Sequence, residues 1–308
     1  MAIFRVTKDG KQCPVNKDSS TVHILPSPNS QTSLTIVPQF LPRENDIRRA
    51  ISENQLFIEY QPKVESKTGK ILGAEALVRW KHPDWGVLPP NQFIPLAEKS
   101  ELIIELGDWV LATVCHQIKQ WKESGVEIVP ISINISAKHF FKVDLVTSLV
   151  EMLEEAKIDS RWIELEITET SLLENEDKVA TAIRLLTQLG VVMSLDDFGT
   201  GYSSITYLKK YKVDYLKIDR SFIKGIGIVR DDEAIIKSIL YLARELKMKV
   251  VAEGVETEKQ RQFLIKHHCD VIQGFLYSKP IQAEELIPLL ANRRIVLKRT
   301  IGFGKFRI

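Results

Sequence analysis

Residues Val191–Ser204 read VVMSLDDFGTGYSS. An apolar run of strand length ends in two adjacent acids, Asp196 and Asp197, and the chain then breaks at Gly199 and Gly201. This order predicts a buried parallel strand that delivers carboxylates to a loop. Neighbouring carboxylates repel one another, and a divalent cation is the simplest way to keep both ionised. The same two acids could equally cap the turn and helix that follow.

The flanking chain repeats the alternation. Strand patterns fall at Phe57–Val64, Ile71–Trp80, Ile128–Ile135, Trp162–Thr168, Val191–Asp196, Tyr215–Ile218, Val250–Glu253 and Val271–Gln273. Helical patterns at Leu102–Ser124, Leu145–Ala156, Asp177–Leu189, Asp232–Leu246 and Glu258–His267 separate most of them. Strands alternating with helices over about 240 residues predict an α/β fold of the (β/α)8 TIM-like barrel type. A short turn at Gly69 joins the first two strands, so the first is expected to be antiparallel.

Strand parity then sorts the polar residues. Gly73, Glu75, Leu77 and Arg79 share a face, as do Ser132 and Asn134, then Glu164, Glu166 and Thr168. Ser194 with Asp196, Tyr215 with Lys217 and Asp219, Val251 with Glu253, and finally Gln273 complete the pattern. Glu169 and Asp197 fall one step off, where the strands are expected to have ended. In a barrel the active groups sit at the carboxyl ends of strands, and charges buried there must meet one another, a metal or a ligand. Glu75, Asn134, Glu166, Asp196, Asp197 and Glu253 make an all-oxygen donor set suited to Mg2+ or Mn2+. So many carboxylates exceed one divalent charge; two ions bridged by Asp196 balance them better and suit in-line attack of water on a phosphodiester. Lys217 could orient that water or simply pair with an acid. Arg79 suits a phosphate oxygen and Gln61 and Gln273 a base or phosphate edge, although each could be a rim hydrogen bond only.

The 308 residues are 44% hydrophobic and 27% charged, with a net charge of +2, so no basic field argues for a nucleic acid polymer. Cys13, Cys115 and Cys269 are too far apart for a CxxC zinc or disulfide pattern. With no signal peptide or membrane span in evidence along the sequence, a cytoplasmic location is expected. Residues 1–45, punctuated by Pro14, Pro26, Pro28, Pro38 and Pro42, read as an extension or linker in which Ile3–Val6 and Thr21–Leu25 could pair. Arg293, Arg294, Lys298, Arg299, Lys305 and Arg307 crowd the last helix and the end of the chain, and residues 296–308 read as a solvated basic tail.

Taken in order, YQP at Tyr60–Pro62, EALVRW at Glu75–Trp80, NIS at Asn134–Ser136, ELEITE at Glu164–Glu169, DDFGTGYSS at Asp196–Ser204, KIDRSF at Lys217–Phe222, AEGVE at Ala252–Glu256 and QGF at Gln273–Phe275 form an ordered set. Over residues 46–295 it resembles the EAL domain, the bacterial phosphodiesterase that opens cyclic di-GMP to linear pGpG. The resemblance implies a first metal held by Glu75, Asn134, Glu166 and Asp196, and a second held by Asp196, Asp197 and Glu253. It implies that Lys217 holds the attacking water and that Glu253 is either a ligand or the general base. Glu169 would brace the loop after Asp197, and Glu256 would support the substrate side. Gln61, Leu77, Arg79, Asp219 and Gln273 match substrate-contacting positions. No cyclase, receiver or sensor module is recognisable. A homodimer acting on cyclic di-GMP is expected, with Ca2+ inhibiting because it fills the acids without organising attack. The rival expectation is a receptor module that binds the dinucleotide without cutting it.

Overall fold

Every strand pattern read from the sequence forms a strand in the computed structural model. The structure describes residues 42–295 except 143–144, 170, 172–175 and 201–204, together with residue 297 and two short strands near the start. The barrel strands are β1 (Leu56–Glu65), β2 (Ile71–His82), β3 (Ile131–Asn134), β4 (Ile163–Thr168), β5 (Val192–Phe198), β6 (Tyr215–Ile218), β7 (Lys249–Ala252) and β8 (Val271–Gln273). Neighbours pair in sequence order, and β1 closes the cylinder by bonding to both β2 and β8. Those two pairings are antiparallel, whereas β2–β3 and every later pair are parallel. A further short strand, Gly86–Leu88, extends β2 in a hairpin.

The outer layer comprises α1 (Glu44–Ser52), α2 (Leu102–Glu123), α3 (Leu145–Ala156), α4 (Glu176–Leu189), α5 (Arg230–Glu245), α6 (Glu258–Lys266) and α7 (Ala283–Asn292), with shorter helices between them. The main core lies between these helices and the strands. In β4, Ile163, Leu165 and Ile167 alternate with Glu164 and Glu166, and all five are buried. The apolar set packs outward while the acids reach the barrel axis, so one strand serves two environments through its period of two. On α2, which packs against β3, Leu106, Val110, Leu111, Val114 and Ile118 form a buried stripe at helical spacing.

The boundaries shift for local reasons. β3 starts at Ile131, not at Ile128, because Pro130 has no N–H to donate; its carbonyl still accepts from Ala74 N at 3.1 Å. β5 runs past the acids to Phe198, with a register shift between Leu195 and Phe198. Asp197 therefore lies within the strand, in a bulge at φ 54°, not beyond its end. Glu169 does lie one residue past β4, as expected.

Near the start of the chain, Phe4–Val6 pairs antiparallel with Gln12–Pro14. That corrects the pairing expected with Thr21–Leu25, which itself falls outside the described residues. At the other end, Arg293 pairs with Glu127 and Arg294 donates to the Thr68 carbonyl. These two arginines contact barrel loops while staying exposed to solvent; Lys298, Arg299, Lys305 and Arg307 fall outside the described residues.

Candidate active site

Four acids meet one ammonium at the carboxyl ends of the strands. Lys217 Nζ, on β6, lies 2.5 Å from Glu166 Oε2, 3.0 Å from Asp196 Oδ2, 2.6 Å from Glu253 Oε1 and 4.0 Å from Glu75 Oε2. The lysine side chain is 1% exposed. Glu75 is held from both sides, since Asn134 Nδ2 donates to its Oε1 at 2.7 Å and Gln273 Nε2 to its Oε2 at 2.5 Å. Gln273 also donates to Gln61 Oε1 at 3.0 Å, so β1, β2, β3 and β8 share one chain of hydrogen bonds.

Sequence reading passed over a second, deeper layer. Lys63, on β1, places Nζ 2.8 Å from Glu164 Oε1 and 2.8 Å from Glu166 Oε1. Glu164 appeared on the correct face of its strand without a role, and Lys63 was not singled out. Their signal in the sequence was a lysine on the same strand parity as Gln61.

The electrostatics of the two layers differ. Burial opposes ionisation of Glu166, but Lys217 and Lys63 together overcome it and hold its carboxyl down at about 2. Burial pushes Glu75 and Asp196 up, and Glu253 well up, and in each case the neighbouring acids add to burial against Lys217. Asp197 is also raised, by burial and then by Asp219. Lys217 moves well above its ordinary value because four acids outweigh its desolvation. The ring thus carries more negative charge than its lysine balances. Among the described residues no three His, Cys, Asp or Glu side chains stand in a ready-made cage, and Lys217 occupies the centre. The oxygen-only donors and the surplus charge fit a hard divalent cation that would share these acids with Lys217.

The remaining expected residues occupy the rim. Glu169 Oε2 accepts from Gly199 N at 3.4 Å, and Glu169 N donates to Asp196 O at 3.3 Å, tying the β4 and β5 ends together. Asp197 N donates to Asp196 Oδ1 at 2.8 Å. Asp219 caps the helix Arg220–Gly225 through Ser221 N at 2.9 Å. Arg79 Nε donates to Glu59 Oε2 at 2.8 Å. Glu256 lies outside the acid ring in an ion pair with Arg220, and its N–H donates to Gln260 Oε1 at 2.9 Å. Gln260 also closes the capping box of α6 with Thr257.

Two glycines allow these loops to approach. Gly254 sits at φ +65° with Arg220 atoms where a Cβ would lie, and a Cβ on Gly274 would meet the Val255 backbone oxygen at 2.2 Å. Beside the ring, a cavity of about 640 Å3 runs from Asn134 and Glu166 past Leu77 to Pro90, Asn91 and Ile94.

The family model for the EAL domain matches residues 44–280. The chain belongs to the EAL domain family. Its curated relatives include the bifunctional diguanylate cyclase/cyclic di-GMP phosphodiesterase MucR of Pseudomonas aeruginosa, 42% identical over 80% of this chain and 36% of that protein. The cyclic di-GMP phosphodiesterase NbdA of the same organism is 40% identical over 86% of this chain and 34% of its own length. The chain thus spans about a third of these relatives. Among solved structures, the MucR phosphodiesterase from P. aeruginosa in complex with c-di-GMP superposes with a TM-score of 0.76 at 43% identity, covering 79% of this chain and 98% of that one. The EAL domain of Mycobacterium smegmatis DcpA gives a TM-score of 0.68 at 34% identity, covering 79% of this chain and 99% of that one. These EAL-domain neighbours agree with the closed barrel and its antiparallel first strand. No described helix is long and apolar enough to cross a membrane.

Proposed function

We propose that this EAL barrel is a phosphodiesterase that depends on Mg2+ or Mn2+ and hydrolyses one ester bond of cyclic di-GMP to give linear pGpG. The observation that carries the reading is the surplus of buried carboxylates around Lys217 in a chain so similar to named phosphodiesterases. Glu75, Asn134, Glu166 and Asp196 would hold one ion, and Asp196, Asp197 and Glu253 a second. When bound, the ions supply Lewis acidity and charge compensation at phosphorus.

The protein's own groups do the rest. Lys217, fully buried among the acids, orients the attacking water and offsets negative charge as the ester opens. Glu253, 2.6 Å from Lys217, would serve either as the second ion's ligand or, in place of ligation, as the base that accepts a proton from the water. Gln61 and Gln273 present amides to the substrate. Arg79 would exchange Glu59 for a phosphate oxygen, and the cavity beside Leu77 has the volume for a base. Glu169 steadies the turn after Asp197 through Gly199 N, while Asp219 and Glu256 order the loops after β6 and β7. The reading includes a cytoplasmic homodimer and inhibition by Ca2+.

The test is to incubate the pure chain with cyclic di-GMP and Mg2+, Mn2+ or Ca2+ over a range of protein concentrations, following pGpG by chromatography. The expected outcome is pGpG with Mg2+ and Mn2+, none with Ca2+, and specific activity that rises as dimer forms. Tight binding without cleavage from metal-loaded dimer would instead make the domain a receptor. Faster cleavage of a linear dinucleotide would reassign the substrate.

A further inference from the structure

Lys63 has no part in the reaction as described, yet its contacts are among the most enclosed in the molecule. Its side chain is 4% exposed, and those of its partners Glu164 and Glu166 are 5% and 0% exposed. It pairs in register with Gly73 on β2 and Gln273 on β8, so its stem crosses the barrel to reach β4. The two oxygens of Glu166 are divided between two lysines: Oε1 lies 2.8 Å from Lys63, and Oε2 lies 2.5 Å from Lys217.

We propose that Lys63 is a positioning residue for divalent-metal binding: by taking Oε1 of Glu166 it fixes the carboxylate plane and leaves Oε2 turned toward the acid ring. The last torsion of a glutamate is broad, and a ligand that turns freely must be ordered when the ion arrives. Lys63 does that ordering in advance. Glu164 is its counter-anion. A bare ammonium beside a ligand would repel an incoming cation, and the second carboxylate at 2.8 Å cancels that repulsion. The pair Lys63–Glu164 is therefore an electrically neutral strut beneath a charged ligand. Outer contacts of this kind typically change metal affinity by about 10–100-fold when removed.

The proposal rests on the metal-dependent reading above, and the sign of one measurement separates it from mere charge balance. If Lys63 acted by charge alone, removing it would tighten metal binding; if it positions Glu166, removal weakens it. Mn2+ is titrated into the full chain without substrate, following the electron paramagnetic resonance of free hydrated Mn2+. The proteins compared are wild type, Lys63→Met, and the double variant Lys63→Met with Glu164→Met. The double variant removes one charge of each sign and leaves no unpaired ion from the strut, so it regains the thermal stability that the single variant loses. It decides the matter if the single variant does not fold. The expected result is a Mn2+ Kd raised about 10–100-fold in both variants, with KM for cyclic di-GMP at saturating Mn2+ unchanged. A Kd at or below the wild-type value in the folded double variant overturns the positioning role. A wild-type protein that takes up no Mn2+ overturns the metal-dependent reading and this inference with it.

Discussion

Two lysines stand one above the other in this barrel, and their surroundings differ in a way that separates architecture from chemistry. Lys63 meets two acids, both at 2.8 Å; with Glu164 it forms a closed, neutral pair, and Glu166 it shares with Lys217. Lys217 faces four acids between 2.5 and 4.0 Å, and three of them are pushed up by burial and by one another, against that single positive charge. A balanced buried cluster is complete in itself; an unbalanced one stays soluble in a protein interior only with protons or a cation to share. The upper cluster is the one that reaches solvent, through the side chains of Asp196 and Glu253, 13% and 18% exposed against 5% for Glu164.

The largest effect that would break this contrast is on turnover. Asp196→Asn removes a charge from the upper cluster, and kcat should fall by at least about 10²–10³-fold, read by pGpG formation; a variant with normal turnover would remove Asp196 from the chemistry. Next in size, Lys217→Met and Lys63→Met should each cost about 3–5 kcal/mol without metal, because each strands buried carboxylates. Mn2+ should restore most of the loss at Lys217, where it replaces the missing charge, and little of it at Lys63. Chemical denaturation with and without Mn2+ gives the comparison, and equal recovery would merge the two clusters into one.

Smaller again is the gain of the wild type. Mn2+ at 100 times its Kd should raise stability by about 2.7 kcal/mol, and Asp196→Asn should lose most of that gain in the same calorimetric scan. The finest distinction is in pH. Glu166, at about 2 against an ordinary 4.5, contributes stability that is complete above 4.5 and is lost as pH falls toward 2. Glu253 is raised, so the native state keeps its proton longer than the unfolded chain and stability declines as pH rises above 4.5. Metal-free protein should be most stable in mild acid, and Mn2+ should flatten the neutral side of the profile. Parallel profiles with and without the ion would contradict the assignment of Glu253 to the unbalanced cluster.

The barrel was legible because its strands carry their own punctuation: apolar runs ending at acids, turns at Gly69 and Gly199, and parity that sends Glu164 and Glu166 one way and Leu165 the other. The convergence of Glu75, Glu166, Asp196, Lys217 and Glu253 followed from that parity. What escaped were features created by closure. A lysine in mid-strand reads as a solvent-facing residue until the opposite wall, with Glu164, is in place. The bulge at Asp197 interrupts the alternation on which parity depends. The clasp of Glu59 on Arg79 is a diagonal contact, for Arg79 pairs in register with Phe57 while Glu59 pairs with Leu77.

The reversed direction of β1 has a geometric consequence. In an all-parallel barrel the polypeptide enters the first strand at the end remote from the chemistry. Here Leu56, where β1 begins, is paired with Trp80 near the carboxyl end of β2, and Gln61 follows within the same strand opposite Glu75. The chain leaving α1 therefore meets the rim of the candidate site first and the barrel's base only afterwards.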